Sequence, residues 1–346
     1  MARVGREAMI FERIATGGCQ SYLLGCGETR AAILIDPNLE QIDHYPVLAA
    51  RHGLRIRYVL DTHTHADHFS AARELGQRWN ARVVTHRLSP APYAELFLDD
   101  GDKLQVGGIA LQALHTPGHT RDSMCLVAED RIFTGDTLLI GGAGRTDLPT
   151  GDAEALHDSL FNRVLKLDPA LKVHPAHDYN GRGHSTLGEE IATNPRLQKR
   201  DRASFVAMMR TLNLEAPVHL TEALRTNMHG GKPLAQLLSD AAARIAFVSA
   251  AELAAAGDFV LLDVRERDAF AAGHIPGARH LPRGELEFLA DRHLPDPCRR
   301  ILVYCETGDI SILAAATLAE LGFTRAASLT GGLAAWREQG LPVSSL

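Results

Sequence analysis

Thr62-His63-Thr64-His65-Ala66-Asp67-His68 decides how this chain is read. It follows Arg57-Tyr58-Val59-Leu60, an apolar run with the β-branched and aromatic character of a strand. In extended backbone, residues i and i+2 face the same way. The pattern therefore sends His63, His65 and Asp67 to one side, with His68 following where a helix begins. The carboxyl end of a strand is where α/β sheets hold ligands. Three imidazoles and a carboxylate suit a borderline divalent metal such as zinc, iron or manganese.

Pieces of the same kind recur downstream. Leu114-His115-Thr116-Pro117-Gly118-His119-Thr120 sets His119 after a strand and a Pro-Gly turn. Phe133-Thr134-Gly135-Asp136-Thr137 sets Asp136 after a strand and a glycine, and Val173-His174-Pro175-Ala176-His177-Asp178-Tyr179 places His177 likewise. An isolated histidine is most often a surface or core residue, and His44, His52, His86, His157, His219, His280 and His293 are read that way. Four pieces in this order read as one metal constellation, because chance motif matches rarely bring matching partners.

Around these pieces, short apolar runs alternate with turn residues. Tyr22–Leu24, Ala32–Ile35, Ala81–Val84, Leu111–Leu114, Met124–Val127 and Arg131–Phe133 read as further strands. Helical periodicity marks 40–52, 69–79 and 153–166, and 187–227 reads as helical with a break at Asn194-Pro195. This is a layered α/β arrangement over residues 1–227. Met228-His229-Gly230-Gly231-Lys232-Pro233 opens a non-periodic stretch, and 228–245 is read as a linker. In 246–346, Phe259–Arg265 and Arg300–Tyr304 are buried-type strands and Gly308–Leu321 a helix, the pattern of a small parallel α/β domain.

The gross numbers agree with two domains. The chain has 346 residues, 45% hydrophobic and 23% charged, with a formal net charge of -6. That balance offers no grip on nucleic acid or an anionic membrane. No apolar run reaches the ~18 residues needed to span a bilayer, and none of signal length follows Met1. Five cysteines, none in C-x-x-C spacing, argue against a disulfide framework and for a reducing, cytoplasmic setting; a homo-oligomer is expected. Cys19, Cys26 and Cys125 lie in strand-like surroundings and read as small packing residues. Cys298 lies in a Pro-rich loop with no sign of activation.

T-H-x-H-x-D-H, then T-P-G-H-T, G-D and a late histidine, resembles the metallo-β-lactamase superfamily. The resemblance implies an αββα sandwich with metal at one edge of the sheets. All seven ligands of its dinuclear pattern are present: His63, His65, Asp67, His68, His119, Asp136 and His177. On ligands alone, the chain fits a zinc or mixed-metal thioester hydrolase of glyoxalase II type, with two metals about 3.5–4 Å apart. Other segments point elsewhere. Ile140-Gly141-Gly142-Ala143-Gly144-Arg145-Thr146-Asp147, Pro175–Tyr179, Asn194-Pro195-Arg196 and Met208–Leu214 resemble the persulfide dioxygenases (ETHE-type enzymes) over about residues 10–215.

That family resemblance implies oxidation of glutathione persulfide by O2 and water to sulfite and glutathione. It places the chain in sulfur metabolism and sulfide detoxification. It implies one Fe(II) per chain, held by two His and one Asp, which carry over to His63, His119 and Asp136. His65, Asp67, His68 and His177 then orient ligands and waters, or hold a second metal in the hydrolase alternative. Glutathione carries two carboxylates, for which Arg145 and Arg196 offer bidentate forks and Tyr179 a hydroxyl.

Asp263-Val264-Arg265, Gly273-His274-Ile275-Pro276-Gly277-Ala278 and Gly331–Trp336 resemble the rhodanese family over about 246–345. The family nucleophile lies in a tight C-x-x-G-x-R-S loop, which here is Cys305-Glu306-Thr307-Gly308-Asp309-Ile310-Ser311. Loop amides and the following helix N-terminus favour a thiolate or persulfide on Cys305. Ile310 in place of the usual Arg, with Glu306 and Asp309 adding negative charge, disfavours anionic thiosulfate as donor. A non-catalytic alternative remains, in which Cys305 only carries or senses persulfide and the metal is structural.

Overall fold

Tyr22 and Leu24 point into one core and Leu23 into another, and Ile33, Leu34 and Ile35 alternate in the same way. Both faces of these strands are covered, which is why they read as unbroken apolar runs rather than as alternating ones. The structure is a computed structural model that describes residues 9–179, 181–212, 214, 215, 217, 220–255, 258–294 and 296–346. His219, and Asn213 within the Met208–Leu214 segment, lie outside the described residues. The chain divides into two compact units, Met1–Gly231 and Lys232–Leu346.

The first sheet of the first unit runs in order β1 (Ile10–Thr16), β2 (Cys19–Gly25), β3 (Ala31–Ile35), β4 (Arg55–Leu60), β5 (Arg82–His86) and β6 (Leu96–Leu98). β1–β3 are antiparallel, whereas β3–β6 are parallel. The second sheet contains β7 (Lys103–Val106), β8 (Ile109–His115), β9 (Met124–Ala128) and β10 (Arg131–Gly135). A short hairpin, β11 (Leu138–Leu139) and β12 (Gly142–Ala143), follows, and β13 (Lys172–Pro175) with β14 (Ser185–Thr186) completes the second sheet in order β14-β13-β10-β9-β8-β7.

The sheets face each other through Tyr22, Leu24, Ile33, Ile35 and Leu60 on one side and Leu111, Met124, Leu126 and Phe133 on the other. α1 (His44–Arg51) and α2 (Ala72–Trp79) cover the outer face of the first sheet. α3 (Ala153–Asp158), α4 (Leu187–Thr193) and α5 (Arg202–Arg210) cover that of the second through Leu156, Leu187 and Phe205. This is the expected αββα sandwich. The expected helix at 153–166 is α3 continued by a π turn and a 3-10 turn, so its apolar stripe persists while its hydrogen bonding changes. α6 (Leu220–His229) follows.

The stretch read as a linker, 228–245, is corrected by the structure. It contains α7 (Leu234–Ala242), with Ala241 buried. Gly230, Gly231 and Pro233 break the local periodicity, but Leu234 to Ala242 supplies good helix formers that pack against a helix of the second unit. That unit is a five-stranded parallel sheet of β15 (Ala246–Val248), β16 (Val260–Asp263), β17 (Arg279–His280), β18 (Ile301–Tyr304) and β19 (Ala326–Leu329), in order β15-β19-β18-β16-β17. α8 (Ala250–Ala255), α9 (Arg267–Ala272), α10 (Leu286–His293), α11 (Asp309–Glu320) and α12 (Gly332–Glu338) flank it, with an apolar core on each face.

Candidate active site

The histidine-rich run leaves β4 at Leu60 and is not extended, so the expectation that His63, His65 and Asp67 share one side is overturned. Alternation holds only while a strand lasts. Past Leu60 the loop turns, and each side chain meets a different neighbour. The expected helix start at His68 is corrected too, since α2 begins at Ala72.

His63, His119 and Asp136 converge, each offering one donor atom, and those atoms lie within 4.8 Å of one another. His63 Nδ1 lies 3.0 Å from the Thr62 hydroxyl, and its Nε2 is buried without a partner. His119 Nδ1 donates to the Arg145 carbonyl at 2.8 Å, which turns Nε2 towards Asp136 Oδ2 at 3.5 Å. Burial and the neighbouring rings His65 and His119 push the His63 imidazole well below its ordinary range, so it stays neutral with a lone pair to give. Burial opposes ionisation of Asp136, but His177, His119 and His63 hold it below the usual carboxylate range. A buried imidazole nitrogen with no partner beside an ionised carboxylate is a donor set that a divalent metal satisfies.

His65 takes another direction. Its Nε2 lies 3.2 Å from Asp36 Oδ1 and 3.9 Å from Asp61, while Nδ1 is buried and unpartnered. Asp36 also accepts from the Thr62 backbone N–H at 2.7 Å and the Thr62 hydroxyl at 2.9 Å, which fixes the start of the loop.

Asp67, His68 and His177 form a third group, joined by Cys19. Asp67 Oδ2 lies 2.9 Å from His177 Nε2 and 3.0 Å from His68 Nδ1. Cys19 Sγ is 3.5 Å from both Asp67 Oδ2 and His177 Nε2 and 3.9 Å from His68 Nδ1. His177 Nδ1 donates to Asp136 Oδ1 at 2.7 Å, linking this group to the first. Burial opposes charge on His177, but Asp136 and Asp67 raise it well above its ordinary value, and His68 is pushed up to about 10 beside Asp67. Burial likewise raises the Cys19 thiol, yet hydrogen bonds with His177 and His68 leave it lower than an ordinary thiol.

Cys19 is therefore no packing residue. β2 starts against the segment after β13, with Cys19 bridged to His177 and the Gln20 N–H donating to the Ala176 carbonyl at 2.7 Å. No local motif marks this contact across 158 residues of sequence. Cys26 and Cys125 are buried as expected.

The substrate-type residues separate. Arg145 grips Asp147 at 2.7 and 2.8 Å and donates to the Glu215 carbonyl at 2.7 Å, so its guanidinium is committed within the fold while its carbonyl aims His119. Arg196 is half-buried and makes no side-chain bond among the described residues. Tyr179 is 74% exposed and stacks on His177 at 5.3 Å.

The segments around Arg145 and Arg196 meet through two residues that sequence reasoning missed as partners. Asn194 Nδ2 donates to the Leu139 and Gly142 carbonyls, and buried Glu190 accepts from Gly141 N–H and Asn194, each at 2.8 Å. The hairpin can press on the metal-side residues because Gly144 lacks a Cβ, which would otherwise lie 1.8 Å from the Asp136 carbonyl oxygen.

In the second unit, Cys305 is buried, and its Sγ accepts the Gly308 N–H at 3.2 Å. Glu306 is held between Arg265 at 2.8 Å and Arg337 at 2.7 Å, and Ile310 is half exposed above the loop.

Fold and donor set define the class: an αββα protein with a candidate His/Asp metal site beyond the strand ends. The sequence model of the metallo-beta-lactamase superfamily matches residues 14–177, and that of the rhodanese-like domain matches residues 248–339. The chain is 41% identical over 214 residues to "Persulfide dioxygenase ETHE1, mitochondrial" of Bos taurus and 40% identical to the Homo sapiens protein of that name. Each match spans 61% of this chain and 84% of the relative. The crystal structure of ETHE1 from Myxococcus xanthus superposes with a TM-score of 0.63 at 40% identity, over 65% of this chain and all of that one. A metallo-beta-lactamase from Staphylococcus aureus shares the fold over 93% of this chain at 23% identity and a TM-score of 0.61. The chain belongs to the persulfide dioxygenase family and carries a C-terminal rhodanese-like domain.

Proposed function

We propose that this chain oxidises glutathione persulfide at one ferrous ion held by His63, His119 and Asp136. The reaction takes one persulfide, one O2 and one water to one sulfite and one glutathione, with four electrons passing from the outer sulfur to O2. The observation that carries the reading is the split among the seven motif residues. His63, His119 and Asp136 gather as one group, while His65 turns to Asp36 and Asp67, His68 and His177 close around Cys19, with His177 touching Asp136 from outside the trio. Two imidazoles and one carboxylate leave open positions on the metal. Ferrous iron, when bound there, would supply the redox chemistry that brings O2 to the persulfide sulfur.

The chain's own groups do the rest. The Arg145 carbonyl holds the His119 tautomer, and His177 fixes the second oxygen of Asp136. Arg196, with no side-chain partner among the described residues, is the cation offered to a glutathione carboxylate, and Tyr179 offers its ring and hydroxyl at the exposed rim. Arg145 supports the site through Asp147 and His119 rather than by gripping substrate. The rhodanese-like unit handles persulfide sulfur on Cys305. All five thiols are free, and no helix among the described residues is long and apolar enough to cross a membrane. We assign the enzyme to a reducing compartment.

The test is O2 uptake by iron-loaded protein given glutathione persulfide, with His119→Ala as control. Persulfide-dependent uptake, absent in the variant, supports the reading; no uptake by the wild type ends it. A second reading rests on the buried, unpartnered His65 Nδ1 and His68 Nε2, which two metals would satisfy. Two metals per chain with S-lactoylglutathione hydrolysis, and no O2 uptake, would establish that hydrolase instead.

A further inference from the structure

The Cys305 loop opens on a cavity of about 630 Å³ whose wall includes Val264, Ala269, Ile310 and Leu313, with Arg265 and Arg283 the cations among its described lining residues. Both cations are already committed. Arg265 pairs with Asp263 at 2.7 Å and Glu306 at 2.8 Å, and Arg283 holds both oxygens of Glu287 at 2.8 and 2.9 Å. Glu266, also on the wall and exposed, makes no side-chain hydrogen bond or ion pair among the described residues, so it adds a carboxylate rather than a cation to the lining. The position facing the pocket from the first turn of α11 is Ile310, half exposed and apolar. A dianion entering this cavity loses its water and meets no free cation, which is a steep penalty. An apolar body loses little and covers Ile310 and Leu313.

We propose that Cys305 takes its sulfur from an organic persulfide with an apolar body free of negative charge, and that thiosulfate is refused. The inference rests on the reading of this chain as a persulfide-handling enzyme and adds the donor class of its second unit. In the step, the Cys305 thiolate attacks the outer sulfur of R–S–SH. The Sγ–S bond forms as the S–S bond of the donor breaks, and its electron pair leaves on R–S, which takes up the proton released by Cys305. Cys305–SH and R–SSH become Cys305–SSH and R–SH, with no external oxidant or reductant. The Gly308 N–H, already directed at Sγ, stabilises the thiolate before attack.

The experiment exposes the full-length protein to benzyl persulfide or to thiosulfate at equal concentration and reads the gain of one sulfur atom on the Cys305 peptide by mass. This readout is independent of O2 uptake, so it fails or succeeds separately from the dioxygenase reading. The expected result is loading from benzyl persulfide at least about tenfold faster than from thiosulfate, with no gain at that position in Cys305→Ser. Ile310→Arg, a half-exposed change that the fold tolerates, restores a cation and raises thiosulfate loading by about tenfold or more. Equal loading of the wild type by the two donors, loading by neither, or an Ile310→Arg protein still closed to thiosulfate would each overturn the proposal.

Discussion

At the scale of single residues, two side chains carry costs that sequence pattern hides. His174 lies in an aromatic cage, its ring 4.8 Å from Phe11, 5.4 Å from Tyr22 and 5.5 Å from Phe133, with neither nitrogen hydrogen-bonded. Burial, and then the nearby Arg131, lower it to about 4. The folded protein thus binds fewer protons here than the unfolded chain, whose histidine titrates near 6.5. This residue leaves stability untouched above that value and erodes it as pH falls towards 4, by on the order of 3 kcal/mol. His174→Leu removes the slope. Denaturant unfolding at pH 7 and pH 4.5 should show the variant losing about 2 kcal/mol less than wild type over that interval, and parallel losses would refute the account. Gly144 is the other case. An added Cβ meets the Asp136 carbonyl oxygen at 1.8 Å and His119 Cβ at 3.0 Å, so Gly144→Ala must push the hairpin off the metal-side residues. Iron titration should show at least a tenfold weaker site, and melting a loss of about 2 kcal/mol. Unchanged iron affinity would show that the hairpin does not set the site.

Among elements, α6 matters most to the site, although it lies beyond residues 14–177 of the superfamily match. Its Asn227, 4% exposed, donates to the carbonyls of His65 and His68 at 2.9 Å each and accepts the Ser70 N–H at 3.1 Å. One amide thus fixes the loop that leaves β4, and Tyr93 and Arg73 pin the end of α6 through the Asn227 and Gly231 carbonyls. Asn227→Ala strands three buried backbone groups, at about 2–3 kcal/mol, and should weaken iron binding by about tenfold to a hundredfold. Full iron affinity in a variant that melts lower would reduce Asn227 to a structural role. Most of the strands were legible because apolar runs and turn residues are local signals. The seven motif residues were legible because their spacing is local too. Spacing alone does not say which of them converge, because that depends on Asp36, Cys19 and Asn227, each far away in sequence; the trio His63, His119 and Asp136 came only from the family resemblance. Cys19 read as packing for the same reason, and α7 read as linker because Gly230 and Gly231 mask the helix that follows.

For the whole molecule, the question is what joining two units on one chain achieves. Each has its own cores: three apolar clusters lie within the first unit and two within the second. The residues of the proposed iron site and those around Cys305 fall in different units. Residues 1–231 alone should therefore fold and retain persulfide-dependent O2 uptake within about twofold of the full chain. A tether contributes something else. It holds the effective concentration of one site at the other in the millimolar range, far above that of separate proteins at micromolar levels. If Cys305 hands sulfur to the thiol whose persulfide the proposed iron site consumes, cutting the chain after Gly231 leaves both activities intact and removes the advantage of their linkage. The measurement loads Cys305 with sulfur, adds glutathione and a cyanide trap, and follows sulfite against thiocyanate. The full chain should yield several-fold more sulfite than an equimolar mixture of the two pieces. Equal partition would mean that persulfide escapes to solvent before oxidation, and that the fusion serves co-production of two enzymes rather than transfer between them.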